Sequence, residues 1–167
     1  MVGAGHEEHV AKGIGFGIIT VSDTRIPDTD ESGSIIKSAI IAKGYTVARH
    51  AIVKDDVKEI SSELRRQLGD GKIDAVILTG GTGITHRDVT PEAVMPILEK
   101  EMPGFGEMFR SLSAEEIGAR AALSRAFAGV AGSKVIFCLP GSMGAVALAM
   151  DRIILEVVGH ALWEARR

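Results

Sequence analysis

Cysteine is nearly absent from this chain: Cys138 stands alone among 167 residues. An intramolecular disulfide is therefore excluded, and a cytoplasmic home is expected. Aromatic residues make up only 4%, so the core must rest on Val, Ile, Leu, Ala and Met. Positive charge is not in excess, with a formal net charge of −3. That argues against a nucleic-acid partner held on a broad basic surface. No apolar run approaches the ~20 residues that cross a bilayer, so no membrane partner is expected either. There is no GxxxxGK[ST] run, which excludes a P-loop. Residues 1–13 lack the apolar stretch of a signal peptide and read as a loose arm.

What remains is ordinary for a globular protein: 46% hydrophobic and 25% charged residues. A chain of this size buries roughly 70% of its unfolded surface, enough for one domain spanning 1–167. Gly15–Ser22 is a short apolar, β-branched run and reads as a buried strand. Ser34–Lys43 follows as a helix ended by Gly44. A second strand is expected over Thr46–Val53. The next helix, Val57–Leu68, has Asp56 as its N-cap. Asp74–Thr79 is apolar on both faces, as at the centre of a parallel sheet.

Thr90 is expected to cap a helix with Pro91 in its first turn, running to about Glu101. Pro103–Gly106 then reads as a break before two short helices, Glu107–Leu112 and Ala114–Ala122. Lys134–Leu139 is a fourth strand, followed by a helix from Gly144 to about Val158 and a short terminal helix. This alternation implies an α/β fold: an open, mostly parallel sheet with helices on both faces. Ligands bind such sheets at the strand exits, near the point where strand order reverses.

The exits carry the informative residues. Thr79-Gly80-Gly81-Thr82-Gly83 follows a central strand directly. Its glycines permit positive φ and close approach of main-chain N–H groups to an anion. A second glycine turn, Pro140-Gly141-Ser142, follows another central strand, and two such turns at one edge favour a binding site over a plain turn. GIGFG at Gly13–Gly17 is no dinucleotide fingerprint, because it precedes a strand instead of linking strand to helix. Asp23, Asp55 and Asp88 also lie at strand exits. Each reads alone as a cap or surface residue; together they suit Mg²⁺ beside phosphate. Arg87 is either a phosphate contact or a solvated charge, and His86 could donate to a ligand. Cys138, in mid-strand, reads as inert core. Phe105, Met108 and Phe109 either cover the sheet or bury an interface.

The segments TVSDTR, DESG, TGGTGITHRDVTPEAV, PGFGEMFR, LSRAFAGV and LPGS, in this order between about residues 14 and 160, resemble the MogA/MoaB family of molybdenum-cofactor biosynthesis. The MoaB branch is slightly favoured, through AIVKDD and the EIG segment. The resemblance implies a three-layer α/β/α fold like the gephyrin G domain. It implies adenylylation of molybdopterin by Mg²⁺-ATP, with pyrophosphate as the second product. By position it makes Asp55 and Asp88 the catalytic and Mg²⁺-binding carboxylates. It places Thr79, Gly80, Gly81, Thr82 and Gly83 at the nucleotide and pterin phosphates and Ser124 and Ser142 on the pterin side, with Pro140 and Gly141 as further ligand-binding residues. Ser22 and Asp23 would line the same cleft. It also implies a homotrimer or hexamer, with transient contact to molybdopterin synthase or a metal-insertion protein. Two residues after the LPGS serine, Gly144 stands where many members have lysine. A pterin-binding carrier that turns over no ATP is the competing reading.

Overall fold

The computed structural model describes Ala11 and residues 13–167. Most of the expected arm, including His6 and His9, lies outside the described residues. Six strands form one sheet: β1 (Gly15–Val21), β2 (Thr46–Val53), β3 (Ala75–Thr79), β4 (Lys100–Glu101), β5 (Phe127–Ala131) and β6 (Lys134–Leu139). Their spatial order is β2-β1-β3-β6-β5-β4. The first four in that order run parallel. The last two complete a mixed sheet, since β5 pairs antiparallel with both β6 and β4. The expected mostly parallel α/β sheet is therefore observed.

Side-chain alternation splits the core into two layers. Phe16 and Ile18 of β1, Ile77 of β3 and Phe137 of β6 point to one face. There they meet α1 (Glu31–Ala42), α4 (Pro103–Ile117), α5 (Met143–Ala149) and α6 (Leu155–Ala165). Ile19 and Val21 of β1 and Val76 and Leu78 of β3 point to the other face. They pack on α2 (Val57–Leu68) and α3 (Thr90–Val94). Strands covered on both faces lose alternation in sequence, which is why β3 and β6 read as continuous apolar runs.

Three expectations need correction. First, Thr90 does not cap α3. Its hydroxyl donates to the Gly80 carbonyl at 2.8 Å, and Val89 occupies the cap position. The helix ends at Val94, because Pro96 cannot supply a backbone N–H for its continuation. Second, Pro103 starts one 15-residue helix and does not interrupt. Proline is well tolerated in a first turn, where its missing N–H would have no helical partner. Third, β5 is a strand the composition did not reveal. It forms a hairpin with β6 through Gly132 and Ser133, at φ of 56° and 60°. Two consecutive positive φ values suit the right-handed twist of paired strands.

The expected Asp56 cap is present: its carboxylate accepts from the N–H groups of Lys58 and Glu59, each at 3.0 Å. Asp56→Ala is expected to destabilise the fold by about 1 kcal/mol, the usual cost of losing such a cap. Urea unfolding checks this through a shifted midpoint at unchanged slope. At the C-terminus, α5 and α6 join through a π-helical stretch, Met150–Ile154, so the chain ends in one nearly continuous helical rod.

Candidate functional site

Strand order reverses between β1 and β3, since β1 leads to β2 on one side and β3 lies on the other. The glycine turn sits at that reversal. Gly80 and Gly81 have φ of 104° and 69°, which only glycine adopts freely. Gly80 donates its N–H to the Leu139 carbonyl at 2.9 Å, and the Thr79 hydroxyl donates to the Pro140 carbonyl at 3.0 Å. A Cβ on Gly141 would lie 3.4 Å from the Gly80 Cα. The two glycine turns are thus packed against each other, as the pairing of motifs suggested. Thr79 and Thr82 are buried, so their side chains support the turn from below. The Thr82 hydroxyl is buried without a hydrogen-bond partner.

Two carboxylates stand over the bare faces of glycines. A Cβ on Gly81 would lie 3.2 Å from Asp55 Oδ1, and one on Gly83 would lie 2.8 Å from Asp88 Oδ2. With Asp56 engaged as a cap, Asp55 is the residue of that pair that faces the turn. The Asp88 carboxylate accepts from the Thr85 N–H at 2.9 Å and from its hydroxyl at 2.7 Å. Asp23 accepts a fork from Arg87, with Nε at 2.9 Å, and takes the Asp55 N–H at 3.2 Å. Asp23, Asp55 and Asp88 therefore surround one turn, and Arg87 bridges over it. Ser22 folds inward: its hydroxyl oxygen accepts from the N–H groups of Thr24 and Arg25. Ser142 caps α5 by accepting from Ala145, and Ser124 accepts from Ala126 on the Thr82 side of the turn.

Charge in this cluster is unevenly held. Burial, reinforced by the charges of Asp23 and Asp88 and opposed by Arg87, pushes the Asp55 carboxyl above its ordinary value. The Arg87 hydrogen bond holds Asp23 below its own. A raised carboxyl value means the folded state binds that proton more tightly than the unfolded chain. Ionised Asp55 therefore costs stability, and the cost develops as pH rises from the ordinary to the raised value. Asp55→Asn is expected to melt slightly above the wild type at pH 7, by less than about 1 kcal/mol in a partly solvated site. The gain should vanish near about pH 3, where both side chains are neutral. Thermal melts at the two pH values check the sign.

Among the described residues, no group of three or more His, Cys, Asp or Glu side chains is placed to hold a metal ion by itself. Mg²⁺ does not need such a cage, because it is usually held by one or two carboxylates together with substrate phosphates. Two separate carboxylates, one of them destabilised as an anion, fit that pattern. Gly144 lies exposed in the first turn of α5, with open space where a side chain would stand.

Sequence reasoning assigned no role to two further supports. Arg25 and Ser32 both donate to the Gly141 carbonyl, Ser32 at 2.6 Å. Buried Asp30 joins them to the sheet: it pairs with Arg25, caps α1 at Gly33, and meets Thr20 and His50. Arg125 spans the other glycine turn. Only the motifs TVSDTR, DESG and LSRAFAGV marked these positions, because the partners of these residues lie far away in sequence. Phe105 and Phe109 are core residues, while Met108 is half exposed. Cys138 is fully buried, and burial pushes its thiol well up.

An open α/β sheet with paired glycine turns and flanking carboxylates at its reversal point belongs to the class of folds that take ligands at their strand exits. The family model "Probable molybdopterin binding domain" matches residues 17–160. The chain is 51% identical over 160 residues to molybdenum cofactor biosynthesis protein B of Halalkalibacterium halodurans, covering 95% of this chain and 94% of that one. A crystal structure of a molybdenum cofactor biosynthesis protein B superposes with a TM-score of 0.91 at 46% identity, covering 93% of this chain and 98% of the other. The tungsten cofactor synthesizing protein MoaB of Pyrococcus furiosus gives 0.85 at 39% identity, covering 95% and 100%. The chain belongs to the molybdopterin-binding MogA/MoaB family, on its MoaB branch. Among the described residues, no helix is long and apolar enough to cross a membrane.

Proposed function

We propose that this protein adenylylates molybdopterin with Mg²⁺-ATP in molybdenum or tungsten cofactor biosynthesis. In the reaction, an oxygen of the pterin's terminal phosphate attacks the α-phosphorus of ATP. The new P–O bond replaces the bond to the leaving pyrophosphate. The observation that carries this reading is the placement of Asp55 and Asp88 over Gly81 and Gly83. Bare main chain would let phosphates approach closely, and Asp55 and Asp88 would hold the Mg²⁺ that neutralises them. Bound Mg²⁺ supplies charge stabilisation on the transferring phosphoryl group. The chain's own task is positioning, because such transfers need little covalent help. Arg87 gives its Nε–Nη2 edge to exposed Asp23 and keeps its Nη1 donors for a phosphate.

The names of its relatives support the pathway, and the sheet-reversal site supports the chemistry. Incubating the protein with MgATP should release pyrophosphate only when molybdopterin is added, with adenylylated pterin detected by mass spectrometry. Pyrophosphate release indifferent to the pterin would refute the reading. One observation favours a non-catalytic carrier: Asp88 already has two hydrogen bonds from Thr85, as a purely structural aspartate would. A carrier binds molybdopterin with an affinity that ATP does not change. We also propose a homotrimer or hexamer, which light scattering of the purified protein tests directly.

A further inference from the structure

The geometry points to Arg125 as the residue that positions the glycine turn and Asp88, with Arg110 positioning Arg125 in turn. This rests on the adenylylation reading only for its kinetic consequence. The loop from Thr82 to Asp88 makes few bonds of its own: the Asp88 N–H reaches the Thr85 carbonyl at 3.1 Å, and its side chain returns to Thr85. Its outward carbonyls are held from 37 to 43 residues away in sequence. The Arg125 N–H donates to the Thr82 carbonyl at 2.8 Å. Its Nε donates to the Gly83 carbonyl at 2.8 Å, and Nη2 to the Asp88 carbonyl at 2.8 Å. The remaining Nη1 pairs with Glu92 on α3. One guanidinium thus ties both ends of the loop to each other and to the helix that follows. Only a rigid planar fork reaches three acceptors in such fixed directions; a lysine ammonium presents a single point.

Arg125 is itself held. Arg110 of α4 donates to the carbonyls on either side of it, Ser124 at 3.3 Å and Ala126 at 2.9 Å. That approach depends on Gly106, where a Cβ would lie 2.6 Å from the Ala126 carbonyl oxygen and 2.7 Å from Arg110 Nη2. PGFGEMFR, LSRAF and TGGTGITHRD therefore form one hydrogen-bonded support. Gly106 admits Arg110, Arg110 sets the strand entry that carries Arg125, and Arg125 sets the loop that carries Asp88.

Arg125→Lys tests the inference by two readouts. Amide hydrogen exchange over residues 83–90 should accelerate about tenfold or more, while amides of β3 and β6 keep their protection. In the adenylylation assay kcat should fall about a hundredfold, as expected when reacting groups lose alignment, with KM for ATP changed less than about threefold. Unchanged exchange in the loop, or a loss confined to KM, overturns the inference. Should Arg125→Lys fail to fold, Gly106→Ala displaces Arg110 without altering Arg125. It must then loosen the same loop, and uniform loosening of the sheet overturns the proposal. If the wild type makes no adenylylated pterin, the functional reading fails, and the exchange pattern alone still decides the positioning role.

Discussion

Asp88→Ala and Asp55→Ala should each lower the rate of molybdopterin adenylylation by about a thousandfold or more, while leaving the protein folded. The size follows from the task assigned to them. Charge stabilisation by a bound metal contributes several kcal/mol to a phosphoryl-transfer barrier, and about 4 kcal/mol corresponds to three powers of ten. The two variants should differ in side effects. Asp88 organises its loop through Thr85, so its removal should loosen residues 83–88 as well as stop turnover. The Asp55 carboxylate is favoured by the Asp23 backbone N–H, but burial and the neighbouring carboxylates outweigh that and leave its charge unfavourable, so Asp55→Ala should lose turnover without losing stability. Single-turnover assays with calorimetric melts separate the two. Wild-type rates in both variants would remove the carboxylates from the mechanism and leave the transfer to the other groups of the turn.

The largest effect on stability is expected at Gly80. Its φ of 104° is costly for any residue with a Cβ, and the Cβ would overlap the Val21 carbonyl oxygen. That oxygen belongs to the neighbouring strand and cannot move like a flexible side chain. Left-handed backbone strain of about 1–2 kcal/mol adds to overpacking of about 1–3 kcal/mol. Gly80→Ala should therefore lose about 3 kcal/mol, lowering the melting temperature by roughly 10 °C for a domain of this size. Gly144→Ala is the matched control, because nothing lies near a Cβ there and alanine is favoured within a helix. It should melt at or above the wild-type temperature. Equal melting of Gly80→Ala and the wild type would show that the turn can rearrange.

How much of this was legible before the structure depends on the range of each interaction. Strands β1, β2, β3 and β6 were visible because β-branched runs bounded by turn residues are local signals. The strand exits were visible for the same reason, and they led to Asp23, Asp55, Asp88 and both glycine turns. β5 was not, since Phe127–Ala131 is short, holds a central glycine, and becomes a strand only by pairing with β6. Thr90 looked like a cap because threonine before proline fits that pattern. Its hydroxyl instead found the Gly80 carbonyl, a partner ten residues back. Asp56 was legible as the cap of α2 because it directly precedes the helical run, but that Asp55 then faces Gly81 is set by tertiary structure. Arg125 gave no sign at all, since each of its acceptors is set by tertiary structure. Family resemblance marked its segment without explaining it.

The place of β6 in the sheet has a consequence for how the protein is made. This strand, the last of the sheet in chain order, inserts between β3 and β5. A nascent chain still lacking residues 134–139 has β3 with an open side and β5 without the hairpin partner that creates it. The Leu139 carbonyl that anchors Gly80 is also missing. Pairing of strands so distant in sequence is slow, and the waiting intermediate exposes apolar edges. The glycine turn therefore takes its final form only once residues 134–139 have joined the sheet. Until then the open side of β3 presents unpaired backbone groups on which a wrong strand could pair.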